Sequence, residues 1–377
     1  MPTPIKIGII GYGSSVRFFH MPYILPNSDL EVYAFLQRAE SPSDPSTADP
    51  WSHCTVDFPK AKHHRTSEAF FADPEIELVI VCTQHATHAE FAEKALRAGK
   101  HVVVEKPFTT STEEADRVIA IAKETSKVLT TFQNRRYDGD FLTLKDLVTK
   151  NALGKIIEAE IHYDFEDAPW LHTMAAKKYS PGDGHMFGIG SHSIDQALVL
   201  FGKPKSVTAF LRDLREADSE IEDTFTIILQ YESKLLVTLK TTVKTCMEEQ
   251  LHYFFRGTEG TYIKYGSDAQ ERHVFSDIPS TDPAFGFEDE SLYGELTTYE
   301  KYHESQVDKG KKVMWQKGKW VGKYPTIRGW IRGYYEDVVK AIRGGELVVD
   351  PQDSRDGIRV MELARLSHEK GVTVDWS

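Results

Sequence analysis

The run Ile5-Lys6-Ile7-Gly8-Ile9-Ile10-Gly11-Tyr12-Gly13-Ser14-Ser15-Val16 decides how the rest of the chain is read. A short apolar strand leads straight into a glycine turn, and the residues beyond it can start a helix. Gly11 permits the tight turn, and Gly13 has no side chain to keep a pyrophosphate off the backbone. The first amides of the following helix would then face that phosphate. Val16 stands where the fingerprint carries its third glycine, so the stretch alone also fits an ordinary strand-turn-helix.

The pattern around it favours the first reading. Residues 30–36, 78–82 and 101–104 are apolar runs without polar alternation, and 86–98 and 112–124 have helical spacing, the former ended by Gly99. Buried strands separated by helices predict a parallel sheet covered on both faces. The Ser/Pro/Asp-rich stretch 40–57 has no periodicity and reads as an inserted surface loop.

Beyond Phe132 the pattern changes. Residues 155–165, 207–212, 223–231, 235–242, 250–256 and 261–265 are strand-like and joined by short polar or glycine links. They predict a large, mostly antiparallel open sheet, with helices at 140–150 and 189–201 on one face. Residues 267–323 are polar and unassigned, and 329–343 and 353–370 read as closing helices. The expected fold class is α/β: a Rossmann domain over 1–133 and an α+β domain over 134–377, the latter serving substrate binding and oligomerisation. The last helix is free to pack back on the first domain.

Composition narrows the function. A net charge of −12 over 377 residues argues against nucleic-acid or anionic-membrane partners. Cys54, Cys82 and Cys246 are far apart, suggest no disulfide framework and show no metal spacing, which fits a reducing compartment. No apolar run spans a bilayer, and the first strand leaves no room for a signal peptide. A cytoplasmic location is expected, with no metal.

Two places carry chemistry on their own residues. The second strand ends at Phe35-Leu36-Gln37-Arg38 with no carboxylate at its tip. An acid there favours NAD, whereas an arginine accommodates the 2′-phosphate of NADP. Arg38 therefore favours NADP(H), with NAD(H) left open. Glu105-Lys106-Pro107 caps the carboxyl end of a parallel strand, the edge where open α/β sheets bind ligands. Pro107 biases Lys106 toward an extended conformation that lets its side chain project.

These segments occur in one order with Thr83-Gln84-His85-Ala86-Thr87-His88, Asn134-Arg135-Arg136-Tyr137-Asp138 and Gly188-Ile189-Gly190-Ser191-His192. Together they resemble the Gfo/Idh/MocA family, named for glucose–fructose oxidoreductase and inositol dehydrogenase. Phe19-His20-Met21-Pro22 and Asn134-Arg135-Arg136 resemble its scyllo-inositol dehydrogenase branch. The resemblance implies NAD(P)-dependent hydride transfer to or from a sugar, polyol or related compound, and a homodimer or homotetramer. It also implies a cofactor site from Gly11, Gly13, Ser14, Ser15, Val16, Arg38, Thr83, His85, His88, Glu105, Lys106 and Arg135. Lys106 would steady a developing alkoxide, and His192, in the first turn of its helix, would be the general base. Trp170, His172 and His185 are candidates for substrate contact beside Lys106 and His192; Tyr163 and Tyr335 have less behind them. The family commonly has an aspartate four residues before the histidine, where this chain has Gly188. That departure leaves open a second reading, a non-catalytic dinucleotide sensor.

Overall fold

The computed structural model describes residues 3–168, 171, 176–215 and 218–376. It divides into two compact units that interleave along the chain. The first comprises Met1–Asn134, Glu271–Phe285 and Trp330–Ile358; the second comprises Arg135–Gln270, Gly286–Gly329 and Arg359–Ser377.

The first unit is built on six parallel strands: β1 (Ile5–Ile10), β2 (Leu30–Leu36), β3 (Lys62–His64), β4 (Leu78–Val81), β5 (His101–Val104) and β6 (Leu129–Thr131). Their order is β3-β2-β1-β4-β5-β6, the doubly wound arrangement whose strand order reverses between β1 and β4. Apolar continuity follows from burial on both faces: Val79, Val81, Val102 and Val104 are fully buried with Ala92, Leu96 and Val118. Each of the valines and Leu96 contributes about 1.5–3 kcal/mol. Ser111 caps the helix Thr112–Thr125 by accepting from the Glu114 amide, and Ser126 ends it in a left-handed turn.

The stretch 40–57 is folded rather than a plain surface loop. It carries a short helix, Cys54–Asp57, and both His53 and Cys54 are buried. Asp57 accepts from Tyr12 Oη at 2.7 Å and from the Trp51 amide at 2.9 Å, and the Tyr12 and Trp51 rings stack. The insert is thereby pinned to the glycine turn.

The second unit holds a ten-stranded sheet: β7 (Ile156–His162), β8 (Ser206–Arg212), β9 (Thr224–Gln230), β10 (Leu236–Thr241), β11 (Leu251–Gly257), β12 (Gly260–Tyr265), β13 (Gly294–Thr298), β14 (Val307–Asp308), β15 (Trp320–Tyr324) and β16 (Val374–Asp375). Its order is β14-β15-β13-β12-β11-β7-β10-β9-β8-β16. The β7–β10 pair is parallel and the other pairs are antiparallel. Among the described residues no helix is long and apolar enough to cross a membrane.

Candidate active site

The glycine turn after β1 leaves no choice at Gly11. Its φ is +96°, and an added Cβ would sit 2.1 Å from the Cys82 carbonyl oxygen, so the β1 turn closes directly onto the end of β4. Gly13 differs: a Cβ there meets nothing within 4 Å, which leaves its backbone open to a phosphate. A helix begins at Ser14 and includes a π-turn over Val16–His20. Val16 is fully buried, so its side chain packs the interior and any phosphate contact would come from its backbone.

Beside this turn lies a cavity of about 740 Å³. It is lined by the ends of β1, β2 and β4, including Gly11, Gln37, Arg38, Thr83 and Thr87, together with Arg65 and Ser67. Arg38 is exposed at this rim, and its carbonyl accepts from Arg65 Nε at 3.3 Å. Arg65 also pairs with Glu40 at 2.9 Å. The segment Leu36-Gln37-Arg38-Ala39 brings no carboxylate to this wall. Arg65 and Ser67 carry no motif; they arrive because β3 pairs with β2.

The edge of β5 carries a buried network. Glu105 accepts from Ser15 Oγ at 2.7 Å and from the Lys106 amide at 2.7 Å, and faces His20 Nε2 at 3.2 Å. His20 Nδ1 in turn meets the Tyr335 hydroxyl, and both residues are fully buried. Burial pushes the Glu105 carboxyl up, but the His20 hydrogen bond and charge, the Lys106 ammonium and the Ser15 hydroxyl outweigh it and hold the group at about 2. Glu105 is thus an ionised anchor for the turn bearing half-buried Lys106. In the sequence Tyr335 is only a weak substrate candidate and His20 has no site role, although His20 lies within the Phe-His-Met-Pro run that carries part of the family resemblance.

His88 holds structure at this edge. Its Nδ1 faces the Pro107 carbonyl at 2.7 Å and its Nε2 the Thr83 carbonyl at 3.1 Å. Burial holds the His88 pKa below the ordinary histidine value, so this fully buried neutral ring has one N–H to donate to these two carbonyls, the Pro107 carbonyl being the nearer. Thr83 Oγ1 accepts from Thr87 Oγ1 at 2.8 Å, and His85 lies half-buried in the turn His85–Thr87.

Arg135 and His192 belong to the second unit. The Arg135 guanidinium pairs with Asp138 at 3.2 Å and lies 5.4 Å from the Tyr163 ring centre. His192 is buried, and its ring centre lies 6.1 Å from that of Tyr163. One expectation is corrected here. The helix begins at His185 and passes through a π-turn, Met186–Gly190, before Ser191–Phe201. His192 is therefore about two turns inside, and a helix N-terminus cannot be what governs its charge. The buried His185 occupies that terminus, and Glu222 accepts from the Met186 amide at 3.2 Å.

At Gly188 an added Cβ meets nothing within 4 Å, so the position has room for the aspartate it lacks. Asp195 is committed elsewhere, in a two-pronged pair with Arg136 at 2.6 and 2.8 Å. Asp183 accepts from the Ser180 amide at 3.0 Å. Trp170 and His172 lie outside the described residues.

The sheet order, the glycine cradle and the cavity define a dinucleotide-binding protein. Residues 5–133 match the oxidoreductase family with an NAD-binding Rossmann fold, and residues 141–263 match the GFO/IDH/MocA C-terminal domain. The chain belongs to this oxidoreductase family. An oxidoreductase of Schizosaccharomyces pombe, C115.03, is 35% identical over 98% of this chain and 99% of its own. The scyllo-inositol 2-dehydrogenase (NADP(+)) IolW of Bacillus subtilis is 31% identical over 98% of this chain and 95% of its own. Among solved structures, the oxidoreductase yvaA from Bacillus subtilis aligns with a TM-score of 0.84 and 31% identity, covering 99% of this chain and 98% of that one.

Proposed function

We propose that this oxidoreductase uses NADP(H) and acts on a hydroxyl-bearing carbon of a polyol or sugar, or on the corresponding carbonyl. The observation that carries the cofactor choice is the cavity wall at the end of β2. Arg38 and Arg65 stand there and the segment 36–39 contributes no carboxylate, which suits a 2′-phosphate and not a bare ribose hydroxyl. IolW, which carries NADP(+) and scyllo-inositol in its name, supports the same direction. When bound, the nicotinamide would accept or return a hydride. Lys106, anchored through Glu105, would hold its ammonium against the substrate oxygen as negative charge develops there. His192 would take the hydroxyl proton, or return it in reduction.

A second copy of the chain is the partner this reading expects. Phe210, Ile228, Leu236 and Phe254 share the less buried face of the ten-stranded sheet through the registers Phe210↔Thr226, Leu236↔Gln230 and Phe254↔Glu160. They lie among polar neighbours, Glu158, Glu160, Thr226 and Lys240, on the same face, and the exposed Phe210 and Leu236 are the side chains a second copy would cover.

The test is fluorescence titration with NADPH and NADH, then turnover on a panel of polyols, sugars and ketoses. Lys106→Ala and His192→Ala should each cut turnover by about 10²-fold or more. Tight NADPH binding with no turnover on any substrate, even after Gly188→Asp, would move the reading to a dinucleotide-binding sensor.

A further inference from the structure

We propose that His53, Cys54 and His63 form a binding site for a zinc-class divalent cation, set behind the wall of the adenosine cavity. One ligand atom from each residue lies within 4.8 Å of the other two. His53 and Cys54 are adjacent in the insert, and His63 reaches them from β3. A tetrahedral zinc with sulphur at about 2.3 Å and nitrogen at about 2.0–2.1 Å would need these atoms to close in by about 1 Å. A borderline-soft cation suits two imidazoles and a thiolate, and three protein ligands leave its fourth position to water.

The orientation of both rings points to a ligand-binding role. His63 Nε2 donates to the Gln37 carbonyl at 2.8 Å, and His53 Nε2 faces the Ala39 carbonyl at 3.4 Å. A neutral ring whose Nε2 carries the proton presents Nδ1 as its lone pair. Metal-ligating histidines are held in the same way, with the far N–H on a carbonyl that fixes the tautomer and raises ligand basicity. His53 Nδ1 lies 4.0 Å from Cys54 Sγ. It now accepts from the Thr55 amide at 3.2 Å and meets the Thr55 hydroxyl at 2.9 Å, a weak cap that the cation would displace. Cys54 is buried, and burial pushes its thiol up to about 11. Without a cation it is a protonated, unreactive group rather than a nucleophile.

Gln37 joins the cluster to the cavity. Its carbonyl receives His63, its side-chain oxygen receives the Cys54 amide at 2.9 Å, and the residue lines the cavity with Arg38 and Ala39. A cation would therefore brace the segment that meets the adenosine ribose. This bracing rests on the NADP(H) reading, whereas the cation site does not.

Untagged full-length protein, stripped with a chelator, should be titrated with cobalt chloride and then zinc chloride. One cobalt per chain should bind with a thiolate-to-metal charge-transfer band, and zinc should displace it. Cys54→Ser should lose the band, and His63→Ala should weaken binding by about tenfold or more. The His63 variant reports independently if the buried serine impairs folding. Cobalt binding without the band, or a band that survives Cys54→Ser, would overturn the site. NADPH affinity of the wild type should rise about fivefold or more on zinc loading; an equal affinity with and without zinc would overturn the bracing. Failure to bind NADPH at all would count against the cofactor reading and leave the cation site to the cobalt titration.

Discussion

In the first unit the buried carboxylate of Glu105 is surrounded by Ser15, His20 and the Lys106 amide. In the second, three buried carboxylates, Asp138, Asp140 and Asp268, crowd one another. Burial pushes Asp140 up, but His252, 3.1 Å away, and Lys264 pull it down. Burial and the Asp140 charge lift Asp268 to about 6, and burial together with Asp268 lifts Asp138. The same residue type thus serves opposite ends. Around Glu105 the donors and positive charge outweigh burial, and the carboxylate stays ionised and fixes a reactive turn. Asp268 also accepts from the Gly139 and Gln270 amides, yet burial and the Asp140 charge win there. Where carboxylates converge, one ionises and its neighbours resist doing so.

The largest effect expected from breaking this contrast is on chemistry. His192→Ala should cut turnover by about 10²–10⁴-fold while NADPH binding to the first unit stays at the wild-type level, read by steady-state kinetics beside fluorescence titration. Loss of NADPH binding in this variant would contradict the division of roles between the units.

The next effect is on stability, with opposite signs in the two units. Glu105 is held below its ordinary 4.5, at about 2. Its contribution is full above pH 4.5 and is lost as the pH falls toward 2. Asp268 is held above 3.8, at about 6, so its contribution is present at low pH and is lost as the pH rises through about 6. The Glu105 shift corresponds to about 3 kcal/mol. Urea unfolding across the window these shifts span, about pH 2 to 6, should show Glu105→Gln losing the rise in stability between about 2 and 4.5 and Asp268→Asn losing the fall in stability between about 3.8 and 6. Exchanged or unchanged slopes would break the comparison.

The smallest effect belongs to Gly188→Asp. With nothing within 4 Å of the new Cβ, stability should change by less than about 1 kcal/mol. The pH profile of kcat should shift if the carboxylate reaches the substrate or His192. A large thermal destabilisation would show that the position has no room for the aspartate.

How much of this was legible in the chain follows from the same physics. The strands flanking the cavity are short continuous apolar runs, so β1, β2, β4 and β5 and the glycine turn could be read directly. Lys62-His63-His64 has no apolar pattern, and β3 was missed; with it went Arg65, Ser67 and the approach of His63 to Cys54. Residues 267–323 looked unassignable because β13, β14 and β15 are short, and Val307 of β14 is exposed. Glu105 and Lys106 could be found as a motif. The His20–Glu105–Tyr335 network could not, because Tyr335 lies 315 positions beyond His20 and only folding brings them together. The π-turn at Met186–Gly190 gives no periodic signal, so the helix start was placed one turn late and His192 was assigned a helix end it does not occupy.

The most direct measurement is the pair of dissociation constants for NADPH and NADH, taken for the wild type and for Arg38→Ala with Arg65→Ala. Removing charge-assisted bonds to a 2′-phosphate should weaken NADPH by about 10–100-fold, and NADH should change by no more than about twofold. An equal loss for both, or a wild type that prefers NADH, would contradict the assignment.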